Sequence, residues 1–290
     1  MKLSEIDAPD FDLAITLDSG QVFHWELHKD GYVGTIGDRP TYAEQRGKSL
    51  LVPAGLEGLT RRYFALDHPL AAICRALPDD PAMRAARDYC RGLRIIRQPL
   101  WECLATFITS SMKQVAHIRQ MSRALRERFG EPRTIAGRQL YTFPAADVLA
   151  QAKESELRAC VLGYRAKNLL RTAQLVSTGV GDLGSWRALA DDKLRAQLCS
   201  LPGVGAKIAN CVMLFAYERL RAFPIDVWIE RVLKERYFPH ARRVTALKLR
   251  SFCDTYFGEH GGYAQQYLFH HARKTTVRRR APKPQRSGKG

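Results

Sequence analysis

LPGVGAKIANC, residues 201–211, sets a Gly-Val-Gly turn directly before an apolar helix with a lysine in its first turn. DDKLRAQLCS (191–200) precedes it with a helical pattern, and AKIANCVMLFAY (206–217) continues it. The pieces read as a helix, a tight link and a second helix. Gly203 and Gly205 permit positive φ and leave backbone N–H groups uncovered. Those donors lie at the positive end of the second helix, so the hairpin should favour an anion such as a phosphate. An ordinary helix–helix turn would use the same glycines, so the rest of the chain must decide.

Charge favours the phosphate. The chain has 290 residues with a formal net charge of +17. That excess attracts a polyanion, nucleic acid first and an anionic membrane surface second. Residues 273–290, RKTTVRRRAPKPQRSGKG, carry eight Lys or Arg and no acid, which leaves +9 on the body. Their composition predicts a disordered basic tail. The seven cysteines are scattered and form no C-x-x-C pair, which predicts reduced thiols in a cytosolic protein and neither a disulfide framework nor a metal cluster. No run is apolar and long enough to span a membrane, and the first residues do not resemble a signal peptide.

The two parts of the chain differ in period. From Gln21 to Pro53 short segments (VFHWELH, GYVGTIG, RPTYAEQR and SLLVP) alternate with turn residues and predict a small antiparallel sheet. LEGLTRRYFAL and DHPLAAICRAL predict short helices, the second N-capped by Asp67 with Pro69 in its first turn. From Gln98 onward the pattern is helical, with eight to ten helices expected and no internal repeat. The expected fold is α+β and mostly α: a β-rich module over 1–97, a helical domain over 98–272, and the tail over 273–290.

Lys207 is the reactive candidate. The helix dipole opposes a positive charge in the first turn, which favours the neutral, nucleophilic amine, and a sugar C1′ is a plausible target. A solvated or phosphate-pairing lysine is the ordinary alternative. Cys211, four residues on, shares its helix face and offers either a core thiol or a polarizable wall beside the amine. In RAFPIDVWIERVLKERYF (221–238), Asp226 is a natural N-cap. A capped carboxylate receives backbone N–H bonds and stays ionised, so it could stabilise a developing oxocarbenium or help deprotonate an amine.

These residues together resemble the helix-hairpin-helix, Gly/Pro-rich loop and Asp signature of base-excision DNA glycosylases. More closely, the chain is similar to the 8-oxoguanine DNA glycosylase/AP lyase family. SGQVFHW (19–25), YFALD (63–67), GLRIIRQPLWECLATFITSS (92–111), LGYRAK (162–167) and GGYAQQYLF (261–269) match in the family's order. The resemblance implies that Lys207 attacks C1′ and forms a Schiff base, that β-elimination nicks the strand, and that Asp226 stabilises charge on the sugar. It implies a flipped base between Cys211 and Phe269, read by Gln265 on its Watson–Crick edge and by the Gly20 carbonyl at N7–H. It also implies Tyr164 as a wedge in the duplex, Arg165 on the opposite base, and DNA contacts from Gly203, Gly205, Lys113 and His117.

The chain departs from the family at four places. Met112 and His117 stand where an asparagine and an arginine near the opposite base are usual. Trp228 replaces a histidine found in some relatives, and His24 a common arginine. Preference for cytosine opposite the lesion should therefore be weaker. The rival readings are a glycosylase for another oxidised or alkylated base, and a non-catalytic helix-hairpin-helix module that only binds DNA. No organic cofactor is implied, though the resemblance suggests a monovalent cation on the carbonyls of Leu201–Gly205. The expected partner is double-stranded DNA carrying a damaged base, met by a monomer with no membrane association in the cytoplasm or nucleoid, or in the nucleus of a eukaryote.

Overall fold

The computed structural model describes residues 1–111 and 113–280. Five strands form one antiparallel sheet in the order β1-β5-β4-β3-β2: β1 (Leu3–Asp7), β2 (Glu26–His28), β3 (Gly31–Ile36), β4 (Arg39–Arg46) and β5 (Ser49–Pro53). Register follows from two-residue turns. Ile36 pairs with Arg39 and Arg46 with Ser49, leaving Gly37-Asp38 and Gly47-Lys48 to reverse the chain. Both glycines have positive φ, as such hairpins require.

Val22–Trp25, expected to be part of a strand, leaves the sheet. The Gln21 side chain explains it: its Nε2 donates to Arg94 O at 2.8 Å and its Oε1 accepts from Ile96 N at 2.8 Å. This ties the segment to residues 94–96 and sends Phe23 into the helical core. β1 has a short polar pattern, and the hairpin β6 (Pro132–Ile135) with β7 (Arg138–Tyr141) is polar too; neither shows the alternation that marks a strand.

The helices are α1 (Leu13–Asp18), α2 (Glu57–Tyr63), α3 (Leu70–Ala76), α4 (Pro81–Tyr89), α5 (Leu100–Ser110), α6 (Val115–Phe129), α7 (Ala146–Gln151) and α8 (Glu154–Leu157). They continue with α9 (Arg165–Ser177), α10 (Asp191–Ser200), α11 (Ala206–Phe215), α12 (Val227–Tyr237), α13 (Ala246–Tyr256) and α14 (Gly261–Arg280). One core lies under the sheet, with Ile6, Phe11, Leu50, Val52, Phe64 and Ile96 buried. The larger core joins the helices, and each fully buried Leu, Ile or Phe there contributes roughly 1.5–3 kcal/mol. α3 and α4 pack into this second core through Ile73, Leu77, Met83 and Ala86, although they precede residue 97.

Two local expectations are corrected. Asp67 does not cap α3, whose N-cap is Pro69; its carboxylate instead accepts from Arg97 Nη1 and Nη2 at 2.5 and 2.9 Å. Residues 273–280 are not a disordered tail but the end of α14, and Arg273 and Lys274 bind Asp18 at the end of α1. Residues 281–290 of the expected tail lie outside the described residues. Among the described residues no helix is long and apolar enough to cross a membrane.

Candidate active site

The link between α10 and α11 makes the two glycines different. Gly203 has φ +81°, and a Cβ there would fall 2.8 Å from Asn168 Cβ. Gly205 does not use the positive φ open to a glycine. It is the extended N-cap of α11, at φ −96° and ψ 178°, and a Cβ there would meet nothing within 4 Å. Gly203 therefore serves the turn, while Gly205 leaves the N–H end of α11 open to the surface.

Lys207 is half-buried on the first turn of α11, with Nζ 5.3 Å from the centroid of the Phe107 ring on α5. Phe107 stacks on Phe215 at 5.4 Å and meets the edge of Phe23 at 6.4 Å. The amine thus has an aromatic floor, for which the sequence gives no sign beyond an apolar helix. Cys211 is buried one turn on. Burial pushes its thiol up, the charge of Lys207 opposes this, and Asp226 adds to it.

Asp226 caps α12 as expected, accepting from Ile229 N at 2.8 Å. Its carboxyl is raised above the ordinary aspartate value, because burial outweighs the Ile229 N–H bond and the nearby Lys207 charge. The cap alone therefore does not hold it as low as the sequence reading implies. Among the described residues Lys207 closes no ion pair within 4.0 Å. Lys207 and Asp226 are near enough to feel one another and not joined.

Gly20 and Phe269 meet. Gly20 has φ +87°, and a Cβ there would sit 3.1 Å from Phe269 Cε1. Gln265, four residues before Phe269 on α14, is buried, and its Oε1 has no partner among the described residues. An unpaired buried acceptor costs about 1–3 kcal/mol, and this one is left open. Phe23, next to the Gly20 turn, touches Phe107 beneath Lys207 and links the two groups.

Tyr164 is 57% exposed, as a wedge would be. Before it, Val161 is also exposed and takes φ +62°, a strained conformation for a β-branched residue that the sequence does not announce. Arg165 departs from its expected role. It is buried; Nε donates to Ser111 O at 2.9 Å, and the guanidinium lies 4.3 Å from the Tyr164 ring. It supports Tyr164 and the end of α5 and does not reach outward. Lys113 and His117 are exposed beside and on α6, and Met112 lies outside the described residues. Trp228 is half-buried under Arg231.

His24 belongs to a separate buried cluster. His24 Nε2 bonds Thr35 O at 2.8 Å, and Nδ1 lies 3.4 Å from Glu102 Oε1. Arg126 pairs with the same carboxylate and donates to Thr35 Oγ1 at 2.9 Å and Tyr141 O at 3.0 Å. Burial first, and the Arg126 charge second, hold the imidazole well below its usual range.

Known proteins share this architecture. Residues 4–104 match the family model described as 8-oxoguanine DNA glycosylase, N-terminal domain. Residues 105–254 match the HhH-GPD superfamily base excision DNA repair protein model. The N-glycosylase/DNA lyase OGG1 of Arabidopsis thaliana is 30% identical, over 89% of this chain and 76% of its own. The 8-oxoguanine glycosylase/lyase of Clostridium acetobutylicum, solved with duplex DNA bearing cytosine opposite 8-oxoguanine, superposes with a TM-score of 0.88 at 28% identity, covering 95% of this chain and 99% of that one. MBOgg1, solved with a low-affinity DNA ligand, gives a TM-score of 0.89 at 30% identity, covering 95% and 100%.

Proposed function

Since this chain belongs to the HhH-GPD superfamily of base excision DNA repair proteins, in its 8-oxoguanine DNA glycosylase family, we propose a residue-by-residue account of how it acts. The chain is an N-glycosylase and DNA lyase that excises 8-oxoguanine from duplex DNA. The observation that carries the account is Lys207 on the first turn of α11, over an aromatic floor, beside an Asp226 that senses its charge without pairing to it.

The glycosidic bond cannot be reached inside a duplex, so the damaged nucleotide turns out of the stack. The open N–H end at Gly205 takes a backbone phosphate. Tyr164 fills the gap. Phe269 and Cys211 hold the two faces of the base, Gln265 reads its edge, and the Gly20 carbonyl accepts from N7–H. Guanine has no hydrogen at N7, so it would leave that carbonyl unpaired, which disfavours it. Lys207 Nζ attacks C1′ as the C1′–N9 bond breaks, the proton shed by Nζ passes to the departing base, and Asp226 stabilises the positive charge on the sugar. The aminal that forms opens at C1′–O4′, with O4′ taking up a proton to become a hydroxyl and the nitrogen left as a protonated imine, and loss of a C2′ proton then expels the 3′ phosphate from C3′ by β-elimination.

Lys113 and His117 face the strand opposite. The protein works as a monomer where the cell keeps its DNA. A monovalent cation at the hairpin would need the second lone pairs of Leu201 O and Pro202 O, which already accept from Val204 N at 3.1 Å and Thr172 Oγ1 at 2.9 Å. No step above depends on it. The test is single-turnover incision of duplexes bearing 8-oxoguanine or guanine opposite cytosine, with and without alkali. Cleavage of the first alone, without alkali, is expected. Equal inertness toward both, with a different oxidised or alkylated base released, would move the chain to another lesion class.

A further inference from the structure

The turn at residues 18–21 presents four successive carbonyls, and three have donors. Asp18 O accepts from Arg273 Nη2. Ser19 O accepts from Gln266 Nε2 at 2.8 Å, and Gln21 O from Gln98 Nε2 at 2.8 Å. Among the described residues no donor reaches Gly20 O. Gln266 is 2% exposed and stands between Gln265 and the half-buried Phe269 on α14.

We infer that Gln266 and Arg273 are positioning residues for lesion recognition, which hold the two preceding carbonyls so that the Gly20 carbonyl alone is left for the base. The inference rests on the base-pocket reading above. Its physical content is rigidity. The Gln266 bond sets the Ser19–Gly20 peptide plane, and at φ +87° the next carbonyl is turned out of line with the one before. A second restraint comes from Asp18, whose carboxylate meets Lys274 and, at 3.5 Å, Arg119. One helix thereby supplies both the groups that touch the base, Gln265 and Phe269, and the groups that aim the acceptor opposite them. A carbonyl held within a few tenths of an ångström can tell N7–H from a bare N7; a loose one adapts to either.

Gln266→Met keeps the shape and removes the donor, and Arg273→Lys keeps the charge and removes the fork. Two rates separate recognition from general damage. Excision of 8-oxoguanine needs the acceptor, whereas nicking at a preformed abasic site needs no base at all. The expected result for Gln266→Met is excision slowed roughly tenfold, as for one lost buried hydrogen bond, with abasic-site nicking within about twofold of wild type. Arg273→Lys should show a smaller loss in the same sense. Equal loss in both assays would make Gln266 a structural residue, and no loss in either would leave the carbonyl free of this control; both overturn the inference. Wild type that nicks abasic sites and releases no 8-oxoguanine would instead overturn the base-pocket reading.

Discussion

Two of the buried polar clusters of this molecule are built on opposite terms. Around Glu102, the charges have partners: Arg126 reaches the carboxylate, Thr35 and Tyr141 through its two Nη atoms, with only its Nε left unpaired among the described residues, and His24 sits between Thr35 O and Glu102. Around Lys207, pairing is withheld: the amine rests on a ring, Asp226 stands near but apart, and Gln265 Oε1 and Gly20 O have no partners among the described residues. Buried polar groups cost free energy unless satisfied. The first cluster therefore reads as architecture, and the second as a site whose partners arrive with the substrate.

The sharpest break in the comparison is Lys207→Gln. It should lower excision with strand nicking by at least ~10³-fold, about 4 kcal/mol of barrier, with little change in melting temperature. Single-turnover kinetics beside calorimetry checks this, and a fold-wide loss of stability would place Lys207 in the wrong cluster. Arg126→Met should do the reverse. Leaving Glu102 buried without its guanidinium should cost about 3–5 kcal/mol in denaturant unfolding, while the rate per folded molecule holds.

Asp226→Asn tests both terms at one residue, because asparagine caps a helix about as well as aspartate. Stability should stay within about 0.5 kcal/mol while excision falls about 10²-fold. The pH profile sharpens this. Burial raises the Asp226 carboxyl, so the acid limb of the rate lies at higher pH than a free aspartate would set. The limb should vanish in the variant. By the same sign, this group favours folding while protonated, below its unfolded value, and that contribution is lost as pH rises through the folded value. The smallest effect separates the glycines. Gly203→Ala meets Asn168 at a strained φ and should destabilise by more than about 1 kcal/mol. Gly205→Ala has open space, and should leave stability nearly unchanged while weakening duplex binding a few-fold, read by titration at fixed salt.

Much of this was legible beforehand, and the failures share a cause. The hairpin, the Asp226 cap and the three strands β3–β5 follow from local chemistry: a turn glycine, a carboxylate before an apolar run, alternation between two-residue turns. Distant partners were not legible. Gln21 pulls Val22–Trp25 out of the sheet through bonds to residues 94 and 96. Asp67 leaves its helix for Arg97, and Asp18 on α1 pairs with Arg273 and Lys274 on α14. Arg165 sits in the expected motif yet turns inward to Ser111. The aromatic floor at Phe107 comes from a helix about a hundred residues upstream, marked in the sequence only by its apolar face.

The most direct test of the account is borohydride trapping on a duplex with one 8-oxoguanine opposite cytosine, with wild type and Lys207→Gln side by side. The account predicts a covalent protein–DNA adduct with wild type and none with the variant. Free base released by wild type without an adduct would contradict it, leaving Lys207 as a phosphate contact and the enzyme without a lyase step.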